Sequence, residues 1–461
     1  MEKWLKPALD YIPRWLDYQM RQHRQPGCAY AIAHRGKLVA EGAFGHADLA
    51  SGEGLTARHR FRVASHSKSF TAAAIMLLRE RGRLKLDDTA GQYVAGLHKS
   101  IAEATLAELL SHSAGLIRDG WDAGQWLDRR PFLNQAELRA DLKRPALLGG
   151  STRFKYSNHG FGLLGLVIEQ VTGESYGAWM QREVIAAAGL QETLPDCPPR
   201  WRGWRLARGH SAIAPAGMRH VVPGDNAAHA LASATGFVAT AADMVRFFSQ
   251  LDPAAKHSFL SVSSRRAMLR KQWRPPGLLE QHYGYGVMSG KIQDWDFYGH
   301  NGGFQGTLTR SFVLPEPGLA ISVLTNAGDG LSMPWADGIA HLLRAYARHG
   351  APSRRVADWG GRWWSLFGAG DWLPMGNRVL VATPAWLNPL MDASEIVPVS
   401  RDEGRIDQAA GYANFGESVR RIRDGRGRVK EVQFAGFRLQ SEAAAAREVA
   451  KRFKPVKKAG K

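Results

Sequence analysis

The chain has only two cysteines in 461 residues, Cys28 and Cys197. That is too few for a disulfide scaffold, and no zinc-ligand spacing surrounds them, so both read as buried thiols. No apolar run reaches the roughly 20 residues that a membrane-spanning helix needs. The start, M-E-K-W-L-K-P-A-L-D-Y-I-P-R-W-L, lacks the unbroken apolar core and small-residue cleavage site of a secretion signal. On that reading the protein is expected in the cytoplasm, with a periplasmic location left open. There is no internal repeat and no low-complexity tract. G-Y-G-V-M-S-G-K lacks the paired glycines of a P-loop and the third glycine of a dinucleotide fingerprint. His210, His220, Asp225 and His229 follow no compact ligand spacing, so they read as scattered loop residues and no metal is expected.

Acidic side chains are also scarce: 42 Asp and Glu stand against 61 Lys and Arg, a net charge of +19. The excess is spread along the chain, apart from the terminal cluster R-E-V-A-K-R-F-K-P-V-K-K-A-G-K. Such a cluster can meet nucleic acid or an anionic membrane. With no nucleic-acid motif elsewhere it reads as a solvated terminus, and no nucleic-acid partner is expected. Hydrophobic residues at 44% and charged residues at 22% are a globular balance, in a chain too long for one core. Composition does not set the oligomeric state.

Residues 1–23 carry Trp4, Leu5, Leu9, Ile12, Trp15 and Leu16 at helical spacing, with a break expected near Pro13. A hairpin follows around Arg35-Gly36. The segment 105–116 reads as a short helix, and 154–173 as a polar turn feeding an apolar helix that ends at Gly173. Residues 190–232 have no steady period and read as a long excursion, which in a compact domain is often functional. A helix opens at Thr240. Strand-like runs lie over 283–288 and 295–300, and H-N-G-G-F-Q-G, 300–306, reads as a glycine-dense turn. Two strands joined at Pro315-Glu316-Pro317-Gly318 and a helix from Pro334 to Arg348 complete this part. Composition shifts near Gly350. The expected division is therefore residues 1–350, with a helical insertion over about 85–234, and a small β domain over 351–461.

The stretch with most chemical content is R-V-A-S-H-S-K-S-F-T-A-A-A-I-M-L-L-R-E-R-G-R, Arg62 to Arg83. Phe70, Ala73, Ala74, Leu77 and Leu78 recur at helical spacing, so Ser65 sits near a helix start with Lys68 one turn on. A hydroxyl becomes a good nucleophile when a neighbour takes its proton, and a lysine whose pKa is lowered by desolvation can do that. Two further polar clusters follow, Tyr156/Asn158 and His300/Gly302, about ninety and then about 140 residues on.

S-x-x-K at Ser65, Y-S-N at Tyr156 and H-N-G at His300, in that order, resemble the penicillin-recognising serine hydrolases. The resemblance is to the class C β-lactamase group, which includes D-alanyl-D-alanine carboxypeptidases, D-aminopeptidases and esterases. L-L-S-H-S-A-G-L, A-S-A-T-G-F-V-A-T-A-A-D-M and G-H-N-G-G-F-Q-G match in context, over about residues 14–348. The class C lactamases usually carry K-T-G at the third element; H-x-G there is common in the peptidase and esterase members. The resemblance implies an α/β (α+β) fold, an antiparallel sheet flanked by helices with a helical subdomain. More weakly, it implies a β-barrel-like C-terminal domain. It implies Ser65 as nucleophile and acyl carrier, and Tyr156 as general base and later acid. Lys68 either takes the Ser65 proton or keeps Tyr156 anionic, with a protonated His300 adding to that field. Asn158 would orient Lys68 and the substrate amide, Gly302 and Gly303 would line a strand edge, and the Ser65 and Gly303 N–H groups would form an oxyanion hole. His112 packs or caps nearby. No cofactor is implied. The expected reaction is hydrolysis of an amide in a small, perhaps D-configured peptide. A carboxylesterase or weak β-lactamase, or an inert binding protein of the same fold, are the alternatives.

Overall fold

The computed structural model of the protein describes residues 2–198, 205–214, 216–222, 224–277, 280–409 and 414–455. Parts of the 190–232 excursion and the end of the basic terminus, 456–461, lie outside the described residues. The chain forms two compact units, Arg24–Ala336, and Met1–His23 together with Asp337–Lys461. Among the described residues no helix is long and apolar enough to cross a membrane.

The first unit is built on an eight-stranded antiparallel sheet. Its strands are β1 (Gly27–His34), β2 (Lys37–Asp48), β3 (Glu53–Gly54), β4 (His282–Tyr283), β5 (Met288–Ile292), β6 (Trp295–Phe304), β7 (Thr307–Leu314) and β8 (Leu319–Thr325). The order is β3-β2-β1-β8-β7-β6-β5-β4, so chain segments nearly 300 residues apart meet mid-sheet, with Cys28 opposite Thr325 and His34 opposite Leu319. The β1–β2 hairpin turns at Arg35 and Gly36, whose φ values of 51° and 77° give the handedness a two-residue hairpin needs. Every residue of β1 and β8 is buried. Central strands covered on both faces read in sequence as apolar runs rather than as an alternation. The Ala241–Gln250 helix packs across β1, β7 and β8, capped by Thr240, and buries Met244, Val245, Phe247 and Phe248.

The segment between the two parts of the sheet supplies mostly short helices. Leu106–Leu110 opens with a capping box of Thr105 and Glu108. The longer Asn158–Thr172 helix runs from the Ser157 cap to Gly173, which ends it in the left-handed conformation at φ 75°. A helix Ser332–His349 follows β8 in the chain.

Two expectations need correction. Residues 300–306 are not a turn: β6 continues through His300, Gly302 and Gly303 to Phe304, and the chain turns at Gln305-Gly306. Of the glycines there, Gly302 serves close packing, and Gly306, at φ 68°, makes the reversal. The Leu5–Gln22 helix also runs unbroken past Pro13. One proline removes a single backbone hydrogen bond, while Leu5, Ala8, Ile12, Trp15 and Leu16 bury a continuous apolar face.

In the second unit, eight strands close into a barrel. They are β9 (Gly361–Ser365), β10 (Gly368–Met375), β11 (Arg378–Ala382), β12 (Ser394–Pro398), β13 (Glu403–Gln408), β14 (Ser418–Arg423), β15 (Val429–Phe434) and β16 (Phe437–Gln440). Trp359, Trp363, Trp372, Ile396, Ile406 and Val432 are among the residues that fill its interior, with Trp359 and Trp372 stacked at 6.1 Å. The Leu5–Gln22 helix is tied to this barrel through one carboxylate. Tyr11 Oη donates to Asp371 Oδ2 at 2.6 Å, and Arg362 donates to Asp371 from Nε at 2.6 Å and Nη2 at 2.7 Å.

Asp371 is 1% exposed, so its charge is stabilised by these partners rather than by water. Asp371→Ala strands the Arg362 guanidinium and is expected to cost about 3–5 kcal/mol. The check is the barrel's unfolding transition in denaturant, followed by tryptophan fluorescence. A shift no larger than that of an exposed alanine substitution would contradict it.

Candidate active site

Of residues 61–78, every one is buried except Ser65. The turn that presents it is held from two sides. Phe61–Arg62 pairs with Val238–Ala239, and Val63 N donates to Phe237 O at 3.0 Å. Ser67 Oγ donates to Ala64 O at 2.5 Å and accepts from Phe237 N at 3.0 Å. Ala64 has φ 50°, a left-handed conformation that costs a residue with a Cβ on the order of 1 kcal/mol. Ala64–His66 form one tight 3-10 turn, and the Ser67–Glu80 helix follows directly. Ser65 thus projects from a strained turn just before the helix.

The structure brings Lys68 and Tyr156 onto the same oxygen. Lys68 Nζ donates to Ser65 Oγ at 3.2 Å, and Tyr156 Oη donates to it at 2.9 Å. Lys68 also donates to Asn158 Oδ1 at 2.6 Å and to Ala234 O at 2.9 Å, so all three of its N–H positions have acceptors. Its side chain is 0% exposed. Burial pushes its pKa well below the ordinary 10.5; Asp119 opposes this and Arg118 adds to it. When Lys68 is neutral, its two hydrogens stay on the two groups that can only accept. The lone pair then faces Ser65.

Asn158 opens its helix, with Ser157 as the cap. Its amide nitrogen donates to Asp119 Oδ1 at 2.5 Å, so both ends of the side chain are engaged within the protein. Tyr156 lies against His112, with ring centres 4.1 Å apart. His112 Nδ1 accepts from Ser157 N at 3.1 Å, which fixes the loop that carries Tyr156.

His300 is buried beside the cluster. Its Nδ1 faces the Asn301 carbonyl at 2.6 Å and therefore carries the hydrogen; Nε2 then accepts from Tyr283 Oη at 3.0 Å. Burial, and next His66, hold its pKa well below 6.5. His66 is pushed down to about 4 by burial. The Tyr156 phenol is pushed up by desolvation, which its Ser65 hydrogen bond and Arg118 only partly offset. Burial therefore works against the expectation that a protonated His300 helps to make Tyr156 a phenolate. A dry pocket favours the uncharged form of both groups.

Gly302 and Gly303 have different surroundings. A Cβ on Gly302 would sit 2.3 Å from Val63 O and 2.3 Å from Thr309 Oγ1. The absence of a side chain lets β6 pack against the turn that holds Ser65. Gly303 is exposed, where β6 has passed its last pairing with β5 at Gly299–Met288. The sequence reading missed Arg118, Asp119, Tyr283 and the Ala234 carbonyl. R-D-G at 118–120 suggests only a turn, and nothing in the spacing ties it to Asn158. Among the described residues no three His, Cys, Asp or Glu side chains gather as a metal would require. His210 bonds Asn326 O at 2.9 Å and Leu49 N at 3.2 Å, and Asp225 pairs with Arg208 at 2.5 Å.

The family model described as Beta-lactamase matches residues 12–344. The chain belongs to the Beta-lactamase family. Among its relatives is penicillin-binding protein 4 of Amycolatopsis lactamdurans, 27% identical over 67% of this chain and 82% of that protein. The octameric penicillin-binding protein homologue from Pyrococcus abyssi superposes with a TM-score of 0.65 at 20% identity, over 93% of this chain and 99% of that one. The D-amino acid amidase from Ochrobactrum anthropi SV3 does so with a TM-score of 0.62 at 21% identity, over 74% and 99%. At these identities the two structures establish the fold.

Gly302→Ala is expected to destabilise the protein by about 2–4 kcal/mol, because the added methyl meets backbone and a buried hydroxyl rather than a flexible chain end. Gly303→Ala, whose Cβ would meet only Leu308 Cδ2 at 3.4 Å, is expected to leave the melting temperature nearly unchanged. Thermal unfolding of the two variants side by side decides this.

Proposed function

We propose that this Beta-lactamase family member is a serine hydrolase that cleaves an amide or ester bond through an acyl-Ser65 intermediate. Small peptide amides, including D-configured ones, are the favoured substrate class. The observation that carries this reading is the shared oxygen: Ser65 Oγ, in the one partly exposed residue of an otherwise buried 18-residue stretch, within hydrogen-bond reach of both Lys68 and Tyr156. A helix-capping serine with a solvated lysine would show neither the buried amine nor the phenol contact.

Neutral Lys68 takes the Ser65 proton as the oxygen attacks the carbonyl carbon. The Ser65 and Gly303 N–H groups stabilise the oxyanion. Tyr156, kept protonated by its surroundings, gives its proton to the leaving nitrogen or oxygen and is reprotonated from Lys68. Water then attacks the acyl-enzyme by the same route in reverse. His300, neutral where a lysine would be a fixed cation, supports substrates without a carboxylate at that end. The fold shared with the D-amino acid amidase favours amides, and the same uncharged edge suits carboxylic esters as the second reading.

A fluorophosphonate probe is expected to label Ser65 and to fail with Ser65→Ala. Lys68→Met and Tyr156→Phe should each slow labelling by roughly 10²–10⁴-fold. Hydrolysis of D- and L-amino-acid p-nitroanilides beside p-nitrophenyl esters then ranks the substrate classes. No adduct and no turnover of any of these would contradict the enzyme reading.

The pH profile has a definite sign. The working lysine must be neutral, so acylation rises with pH through a Lys68 pKa set well below 10.5. Tyr156 must be protonated and its pKa is raised, so no alkaline fall is expected below pH 10.0. A bell with an alkaline limb near neutrality would contradict these assignments.

A further inference from the structure

We propose that Asp119, linked to Lys68 through Asn158, and Arg118, paired with Asp119, are positioning residues that act in opposite directions on one catalytic amine. The assignment rests on the reading of Lys68 as the base.

The first support is a continuous path of short hydrogen bonds. Asp119 Oδ1 accepts from Asn158 Nδ2 at 2.5 Å, and Asn158 Oδ1 accepts from Lys68 Nζ at 2.6 Å. The carboxylate therefore fixes which end of the amide faces Lys68. If the amide turned over, an N–H would point at an amine that also carries hydrogens there. The orientation in which Lys68 keeps an acceptor is the one Asp119 selects.

The second support is that the segment carrying the pair is locked to the same helix end. Arg118 O accepts from Asn158 N at 2.8 Å and from His159 N at 3.2 Å, taking the first free N–H groups of the helix. Ser157 Oγ donates to Ile117 O at 2.6 Å. Gly120, at φ 85°, passes so close to Asp141 and His159 that a Cβ would lie 2.7 Å from Asp141 Oδ2. Gln125 Nε2 donates to Asp119 O at 3.1 Å. The Asp119 carboxylate thus lies at the positive end of a 15-residue helix, and a helix start favours negative charge.

The third support is the contrast within the pair. Arg118 Nε lies 3.1 Å from Asp119 Oδ2, yet the Arg118 side chain is 66% exposed and that of Asp119 17%. Arg118 also reaches over the Tyr156 ring at 5.6 Å. The half-buried carboxylate faces Lys68 across Asn158, while the more exposed guanidinium shares its field with water. The other groups facing Lys68 are Tyr156, His112 and His300, each driven by burial towards its uncharged form, and the Ala232–Gly236 turn offers only a carbonyl. On its own turn His66 is driven the same way, to about 4. Arg118 and Asp119 are therefore the charged side chains that these contacts leave to act on the amine.

The test follows the pH at which fluorophosphonate labelling of Ser65 is half-maximal, in the full-length protein. Asp119→Asn keeps the shape and removes the negative charge, so the ammonium form is less favoured and the acid limb should move down by about one pH unit. Arg118→Gln removes the positive charge and should move the limb up, by less, since that group is solvated. Asp119→Glu should bring the limb back towards that of the unsubstituted protein. Loss of packing alone lowers the rate at every pH and leaves the midpoint in place, so midpoints that stay still, or that both move the same way, would overturn the assignment. If the unsubstituted protein does not label at all, the hydrolase reading falls, and this assignment with it. If it labels with a limb indifferent to both substitutions, this assignment alone falls.

Discussion

A lysine amine with no exposed surface is the constraint around which the first unit is arranged. An ammonium taken out of water is costly unless acceptors surround it, and an unpaired one is not tolerated in a core. Lys68 meets this through Asn158 Oδ1, the Ala234 carbonyl and Ser65 Oγ, three groups from three separate stretches of chain. Each acceptor has to be held in place. The Asn158–Thr172 helix holds one. The Ala232–Gly236 turn holds the second, itself fixed by Thr71 Oγ1 donating to Ser233 O at 2.7 Å and Ser233 Oγ donating to Phe161 O at 2.8 Å. The third is Ser65 Oγ, the proposed nucleophile. The requirement to satisfy one amine therefore brings together the pieces that the chemistry uses.

The same dryness decides the character of the neighbours. Tyr156, Tyr283, His112, His300 and His66 pack on one another beside the serine's Tyr156 contact, and burial drives each towards its uncharged form. The site is thus a cluster of proton-sharing groups with little formal charge, and a carboxylate in hydrogen-bond connection with it, Asp119, stands a side chain away behind Asn158. In such a medium a single nearby charge has a long reach. On the proposed assignment this leaves the amine sensitive to Asp119, while the many arginines on the outer surface are screened by water and salt.

The strand that completes the site shows backbone and side-chain requirements acting at adjacent positions. Gly302 is needed because β6 passes within contact of Val63 and Thr309, whereas Gly303 faces open space. The pair looks alike in sequence, and β alternation sends the two residues to opposite faces. His300, two positions before Gly302, is then buried and bonded to Tyr283 rather than presented as a cation.

The sequence by itself determined a good deal. The nucleophile helix, the hairpin at Arg35-Gly36, the capped helix after Tyr156 and the paired strands around Pro315–Gly318 all follow from short-range signals: apolar period, caps and turn residues. The three motif clusters were legible because each pairs distinctive residue types at fixed local spacing. Tertiary structure alone decided that β6 runs through the glycines, since the neighbour that forbids a side chain at 302 comes from residue 63. It alone decided that Asp119 answers Asn158, that Ala234 offers its carbonyl to Lys68, and that burial favours the uncharged forms of His300 and Tyr156. Desolvation is a property of what surrounds a group in space, and the surroundings here are drawn from residues up to about 240 positions apart.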